Sequence, residues 1–325
     1  MGFREAGLRE MSDFLILAHG DTDGVTSAAI ARSVVHGRVV FTHPVGILGD
    51  LDEFRGEAES VIILDISLDE RLWRELALRL HEFKEAIYID HHPPPEGALD
   101  LLRASGVKVF HEEGPCTAEL AYRFFNPPSE MSRVALYGAI GDYAITTPFF
   151  KEKIRDWDIR SLFLEAGTLT LGLEAIRRDH EKKRLVVEEL ALNKLPSQLD
   201  FLVEAARKQA RILEEARERL PEIVQSLENI AYVIDPGASL GVTAFYAAVL
   251  RGKKVGVAVE VRGNWAIMSL RARDERVDLN KALRILAPKY GGHGGGHAAA
   301  AGARIPLDDL KQFLEDLDKA LRLTV

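Results

Sequence analysis

Short apolar, β-branched runs alternate with helical stretches from residue 13 to about residue 110 of this 325-residue chain. The runs are Phe14–Ala18, Val39–Thr42, Val61–Ile66, Ala86–Ile89 and Val107–Phe110. Between them lie Ser27–His36 and Asp69–Phe83, the second with Leu72, Leu76, Leu80 and Phe83 at helical spacing. This alternation predicts βαβ units and a parallel sheet. Helical patterns dominate from Thr117 to about residue 195, and the amphipathic stretch Trp157–Arg184 reads as core, as an interface or as both. Leu199–Leu220 predicts one long helix, because Leu199, Leu202, Val203, Ala206, Ala210, Leu213 and Ala216 recur at three and four. Glu204–Lys208 and Glu215–Arg219 add i,i+4 pairs in the favourable order. From Ala231 the pattern changes to short strands, Tyr232–Ile234, Val255–Val261 and Trp265–Leu270, and a glycine-rich turn. The expected architecture is α/β. An N-terminal parallel-sheet domain spans 1–195, a helical connector 196–229, and a smaller C-terminal α/β domain 230–325, with a cleft between the two domains.

Composition narrows the setting. Apolar residues at 47% and charged residues at 28% fit an ordinary soluble protein. No apolar run approaches the roughly 18 residues of a membrane span. The first residues, MGFREAGLREMSD, lack the apolar core of a secretory signal. A single cysteine, Cys116, leaves no internal disulfide and fits a reducing interior, so the expectation is a cytoplasmic protein with no membrane association. The net charge of −8 argues against a coat of basic surface for duplex DNA, while leaving room for a local basic groove. Five Asn and four Gln beside many Glu, Lys and Arg resemble thermophile composition.

The chemistry gathers at the ends of the predicted elements. His19-Gly20-Asp21-Thr22-Asp23-Gly24 follows the first strand, Asp65 the third and Asp90-His91-His92 the fourth, and Asp142 follows the apolar Val134–Ile140. Ligands of an open parallel sheet bind outside the carboxyl ends of its strands. Carboxylates a few ångströms apart raise each other's pKa, and a divalent cation removes that difficulty. Carboxylate with imidazole suits Mn²⁺, Mg²⁺, Zn²⁺ or Fe²⁺, and a carboxylate-heavy set leans toward Mn²⁺ or Mg²⁺. One acid shared by two ions would hold them roughly 3.5–4 Å apart, and Asp65, alone after its strand, is the candidate bridge. Singly, each group has a plainer reading. Asp21 or Asp23 caps the helix beginning near Val25; Asp65 competes with Ser67 and Asp69 for the next cap; Asp142 ends a helix; His91 and His92 are turn residues before three prolines. Four such groups at four element ends favour one joint site.

A second string, Gly291-Gly292-His293-Gly294-Gly295-Gly296-His297 followed by AAAAG, is too specific for a flexible linker. Glycines let backbone N–H groups approach a phosphate, and a following helix N-terminus would add favourable partial charge. Between Arg251 and Lys289 ten basic residues face four acids, so an acidic protein is basic beside this string.

Together, HGDTDG, Asp65, Asp90-His91-His92 and Asp142 resemble the four motifs of the DHH phosphoesterase family. The string GGGHAAAAGARI resembles the GGGHxxAAGxxI substrate motif of the C-terminal domain that accompanies them. The resemblance implies that His19, Asp21 and Asp65 hold one ion, and that Asp23, Asp65, His91 and Asp142 hold the other. Asp65 and His92 then act in catalysis, with His92 facing the substrate phosphate. Ser269 and Arg271 would lie toward the substrate, and Gly295, Gly296 and His297 would contact a phosphate or nucleotide; His293 is left as a turn residue.

Within the family the motif pairing is similar to RecJ-like nucleases and oligonucleotide phosphoesterases, and composition and length point to a compact archaeal RecJ-like exonuclease. That kinship implies two divalent ions, with Mn²⁺ favoured over Mg²⁺, and single-stranded DNA or RNA as substrate. DNA and 3′→5′ cleavage are favoured, in replication or repair, with a helicase of those processes as partner; an oligomer is left open. One alternative is a phosphoesterase for oligoribonucleotides, 3′-phosphonucleotides or cyclic dinucleotides. Another, of a different class, is a non-catalytic scaffold in a replication or repair assembly. The glycine-rich tail disfavours a pyrophosphatase.

Overall fold

The computed structural model describes residues 12–321; the reading of the first residues as lacking a secretory signal therefore falls outside the described residues. The chain divides into two compact units between Arg207 and Lys208.

The N-terminal unit is built on five strands: β1 (Ser12–Ala18), β2 (Gly37–Phe41), β3 (Ala58–Leu64), β4 (Glu85–Asp90) and β5 (Lys108–His111). They are parallel, in the order β2-β1-β3-β4-β5. Helices α1 (Thr22–Arg32), α2 (Ile47–Glu53), α3 (Trp73–Leu80) and α4 (Ala98–Ala104) connect them. The central strands are apolar at nearly every position because both faces of a parallel sheet are covered. Alternate side chains then feed two cores. Ile16, Ala18, Ile62, Leu64, Ile87 and Ile89 pack with α1 and later helices. Leu15, Leu17, Val61, Ile63, Ala86 and Tyr88 pack against α2, α3 and α4.

After β5 come α5 (Thr117–Phe125), α6 (Ser132–Gly141), α7 (Pro148–Lys153), α8 (Ile159–Ile176) and α9 (His180–Ala191). The amphipathic stretch left open in the sequence is core on one side, where Leu162, Ala166, Leu169 and Leu173 of α8 are buried. The long predicted helix is α10 (Asp200–Ile223), which contains the boundary between the units.

The C-terminal unit contains β6 (Gln225–Ser226), β7 (Ile230–Ile234), α11 (Leu240–Arg251), β8 (Val255–Arg262), β9 (Trp265–Ala272), α12 (Leu279–Leu286), β10 (His293–Gly296), β11 (Ala300–Pro306) and α13 (Leu310–Ala320). Its mixed sheet runs β10-β11-β9-β8-β7-β6, with β7 and β8 parallel and the other pairs antiparallel. Val255, Val257 and Val259 of β8 share a core with Leu279 and Leu283 of α12 and Phe313 and Leu317 of α13.

Three expectations change. The helix expected from Asp69 starts at Trp73, because the Asp69 carboxylate accepts the Arg71 N–H at 2.8 Å and makes a turn first. The glycine-rich string is a hairpin, β10 into β11, rather than a turn leading to a helix N-terminus, and His293, read as a turn residue, opens β10. Helix α11 fills the interval between the expected strands Tyr232–Ile234 and Val255–Val261, to which the sequence assigns no element. Among the described residues, no helix is long and apolar enough to cross a membrane.

A buried acid ties the C-terminal unit together. Asp318 Oδ1 on α13 accepts the backbone N–H groups of Asn229, at 2.6 Å, and Ile230, at 3.0 Å, where β7 begins. Asp318→Ala leaves both donors buried without an acceptor, and we expect a stability loss of roughly 1–3 kcal/mol. Urea unfolding monitored within the C-terminal unit measures it, and an unchanged midpoint contradicts the assignment.

Candidate metal centre

Register brings the motifs level. Ala18 pairs with Leu64 and Leu64 with Ile89, so β1, β3 and β4 end in one row. The ladder continues one residue further, with His19 N–H donating to Leu64 O at 3.2 Å and Asp65 N–H to Ile89 O at 3.1 Å. Connections diverge to opposite sides between β1 and β3, which makes their carboxyl ends the switch point where such sheets bind ligands.

Asp21 is the N-cap of α1 and accepts the Gly24 N–H at 3.1 Å, so the plain capping role holds as well. Gly24 is required by close approach: a Cβ there would lie 2.2 Å from the His19 carbonyl oxygen. Asp65 has φ 60°, a left-handed backbone uncommon for a residue with a side chain, and it is buried. Asp142 is the C-cap residue of α6.

Among the described residues of this unit, three donor groups result, each with its ligand atoms within 4.8 Å of one another: His19, Asp21 and Asp65; Asp65, Asp90 and His92, which shares Asp65 with the first; and Asp23, His91 and Asp142. His19 Nδ1 is 2.8 Å from Asp21 Oδ2 and 3.8 Å from Asp65 Oδ2. His91 Nε2 is 3.5 Å from Asp65 Oδ1 and 3.8 Å from Asp23 Oδ2, while its Nδ1 is 3.7 Å from Asp142 Oδ2. The six residues expected to ligate metal are thus gathered, and His92 stands beside them.

Sequence reasoning missed the supports. The first turn of α5 donates the N–H groups of Thr117 and Ala118 to the Asp23 carboxylate at 2.6 and 2.8 Å. The Thr117 hydroxyl donates to Asp65 Oδ1 at 3.1 Å. Asp90, given no role above, accepts from His92 Nδ1 at 2.9 Å and from the Tyr88 hydroxyl at 2.9 Å, which sets the plane of the His92 ring. The acid at the head of the Asp-His-His triplet was the available signal for that contact; nothing in the residue types marks the α5 amides.

Burial, then the neighbouring Asp21 and Asp23, push Asp65 well above the ordinary carboxylate range. Burial also raises Asp23, and with Asp23 beside it raises Asp142 to about 7. His19 is raised to about 9 by Asp21. Burial opposes charge on His92, but Asp90 outweighs it and the ring reaches about 9. Burial likewise opposes ionisation of Asp21, yet His19 holds that carboxyl below its usual range. A buried oxygen-rich set whose acids repel one another is the donor chemistry that a hard divalent cation suits.

In the C-terminal unit the expected substrate residues share neighbouring strands. Gly295 pairs with Gly302, Gly302 with Ser269, and Ala300 with Arg271. Arg271 Nη1 donates to Ser269 Oγ at 3.0 Å and to Leu270 O at 2.9 Å. A Cβ at Gly241 would lie 2.5 Å from Arg271 Nη2, so the guanidinium rests on the first turn of α11. The Gly296 N–H donates to Asn280 Oδ1 at 3.2 Å, and the His297 N–H to Ala300 O at 2.8 Å.

Residues 218–323 match the family model of the DHHA1 domain. A 101-residue stretch is 28% identical to the uncharacterized protein MJ0831 of Methanocaldococcus jannaschii, spanning 30% of this chain and 23% of that protein. The chain therefore covers about a quarter of that relative's length. The structure of RecJ from Thermus thermophilus in complex with Mn²⁺ matches with a TM-score of 0.68 at 19% identity, over 97% of this chain and 53% of that one. The pGpG-specific phosphodiesterase PggH from Vibrio cholerae matches with a TM-score of 0.58 at 15% identity, over 96% and 99%. The architecture is the DHH fold; RecJ has been solved with Mn²⁺ and with Mg²⁺.

A divalent ion binds these ligands deprotonated, whereas at neutral pH His19, at about 9, holds its proton and Asp142, at about 7, is half protonated. Mn²⁺ binding near pH 7 should therefore expel protons, and affinity should rise from about pH 6 to about pH 8, tenfold per pH unit for each proton released. Calorimetry in two buffers of different ionisation enthalpy measures the count. Heats independent of buffer, with affinity flat across that range, contradict it.

Proposed function

We propose that this chain is a divalent-metal-dependent phosphodiesterase that shortens single-stranded nucleic acid from an end, with DNA and the 3′→5′ direction favoured, in replication or repair. The observation that carries the reading is the orientation of Asp65, whose Oδ2 faces His19 and whose Oδ1 faces His91. One buried acid stands between two donor sets, as two-metal phosphoryl chemistry requires. His19, Asp21 and Asp65 would hold one ion, and Asp23, Asp65, His91 and Asp142 the other. Divalent ions so placed supply an attacking water of lowered pKa and offset charge on the phosphoryl oxygens.

The remaining work falls to the chain. His92, aimed by Asp90, donates an N–H to a phosphoryl oxygen as charge builds there. The α5 amides and Thr117 hold Asp23 and Asp65 in place, which limits reorganisation during the reaction. Arg271 of β9, its guanidinium against the first turn of α11, offers a planar group suited to a phosphate.

Hydrolysis of short oligoribonucleotides, 3′-phosphonucleotides or cyclic dinucleotides is a second reading. The likeness to the pGpG-specific phosphodiesterase PggH, which takes in 99% of that chain, supports it.

Digestion of 5′-labelled single-stranded DNA and RNA 20-mers with Mn²⁺, Mg²⁺ or EDTA separates the two. A metal-dependent ladder shrinking one nucleotide at a time is expected, and immediate release of labelled mononucleotide reverses the polarity. An intact 20-mer beside a hydrolysed dinucleotide selects the second reading. Asp65→Asn should lower kcat/KM by roughly 100-fold or more while the protein stays folded; a folded variant at full rate removes Asp65 from the mechanism.

A further inference from the structure

We infer that Lys183 is a positioning residue that clamps the loop carrying His19 and Asp21, an inference that rests on the metal-centre reading above. The buried face of α9 is Lys183, Val186, Val187 and Leu190, a single stripe at helical spacing. Three of the four are aliphatic, and the fourth is a lysine only 7% exposed. Burying an ammonium is costly unless it is well bonded, and an aliphatic residue would complete the stripe at lower cost. The lysine therefore needs a reason beyond packing, and its contacts supply one.

Lys183 Nζ donates to the carbonyl oxygen of Gly20, the residue between His19 and Asp21. The ammonium lies 5.9 Å from the centre of the Phe41 ring, which closes β2 beside the loop. A Cβ at Gly20 would lie 2.9 Å from Nζ, so the glycine and the lysine fit one another. The ends of the loop are fixed by other means. The His19 N–H is tied to Leu64 O, and the Asp21 carboxylate and carbonyl take the N–H groups of Gly24 and Val25. Lys183 fixes the peptide between these anchors.

It does so from a rigid base. Asp179 caps α9 by accepting the Lys182 N–H at 3.1 Å, and Glu188 of α9 grips Arg32 of α1 through two bonds of 2.9 and 2.8 Å. Asp23, by contrast, is held by α5, so the two donor sets have separate supports. Loss of Lys183 should loosen one set and spare the other.

The test is calorimetric titration of Mn²⁺ into the full chain stripped with EDTA, for wild type, Lys183→Met, Lys183→Gln and Gly20→Ala. Methionine keeps the stem and removes the charged donor. In Lys183→Met one binding step should weaken about 10–100-fold, as for the loss of an outer partner of a metal ligand, with the other step unchanged. The melting temperature of the stripped variant should not fall. Glutamine keeps an N–H donor and should recover part of the affinity, while Gly20→Ala, which displaces Nζ, should reproduce the methionine result. Wild-type affinity at both steps in Lys183→Met overturns the inference. So does equal weakening of both steps with a lower melting temperature, which would mark a purely structural lysine. Wild type that binds Mn²⁺ as expected but cleaves no phosphodiester sinks the functional reading and leaves this one standing. Wild type that binds neither Mn²⁺ nor Mg²⁺ overturns both.

Discussion

Repulsion among acids in a confined space is the constraint around which the N-terminal unit is organised. Asp21, Asp23, Asp65, Asp90 and Asp142 converge where β1, β3, β4 and α6 end, and Asp23, Asp65 and Asp90 are almost fully buried. Left to itself such a cluster would spread apart or hold its protons. The scaffold prevents the first outcome by bonding the acids from behind. Two α5 amides grip Asp23, a threonine grips Asp65, and Tyr88 with His92 grips Asp90. The second outcome is the visible one, in the raised values of Asp65 and Asp142. A group that holds its shape while resisting ionisation is preorganised for a cation.

The parallel sheet was legible because its strands are buried on both faces and read as unbroken apolar runs, as in Leu15–Ala18 and Val61–Leu64. The C-terminal hairpin was not. His293–Gly296 and Ala300–Pro306 offer glycine and alanine, residues with little strand propensity and no period-two contrast. Their strands are held by cross-strand bonding to β9, a tertiary effect that no local window carries. Helix α11 escaped because apolar residues lie all around its turns, with Thr243, Ala244, Ala247 and Ala248 buried and Phe245, Val249 and Leu250 exposed.

The six candidate ligands and His92 were legible from element ends, and the structure gathers all seven within one unit. Their supports were legible only in part. A backbone amide leaves no mark in the residue type, so the grip of α5 on Asp23 could not be foreseen. Asp21 could be read as a cap or as a ligand, and it serves the first while standing in position for the second. Lys183 sits inside a charged run, Glu181-Lys182-Lys183-Arg184, where one buried lysine looks like its exposed neighbour.

The left-handed backbone of Asp65 bears on how this protein can change over time. Side chains that enter that conformation at little cost are few: glycine, and the short polar pair Asp and Asn. Most substitutions there strain the chain as well as the centre. Asparagine is the exception, since it retains one oxygen and the backbone shape and sheds the charge, and a single nucleotide change in an aspartate codon produces it. A folded descendant lacking the Asp65 charge is therefore one mutational step from the present sequence. The centre can lose one charged ligand there without the backbone strain that other substitutions bring.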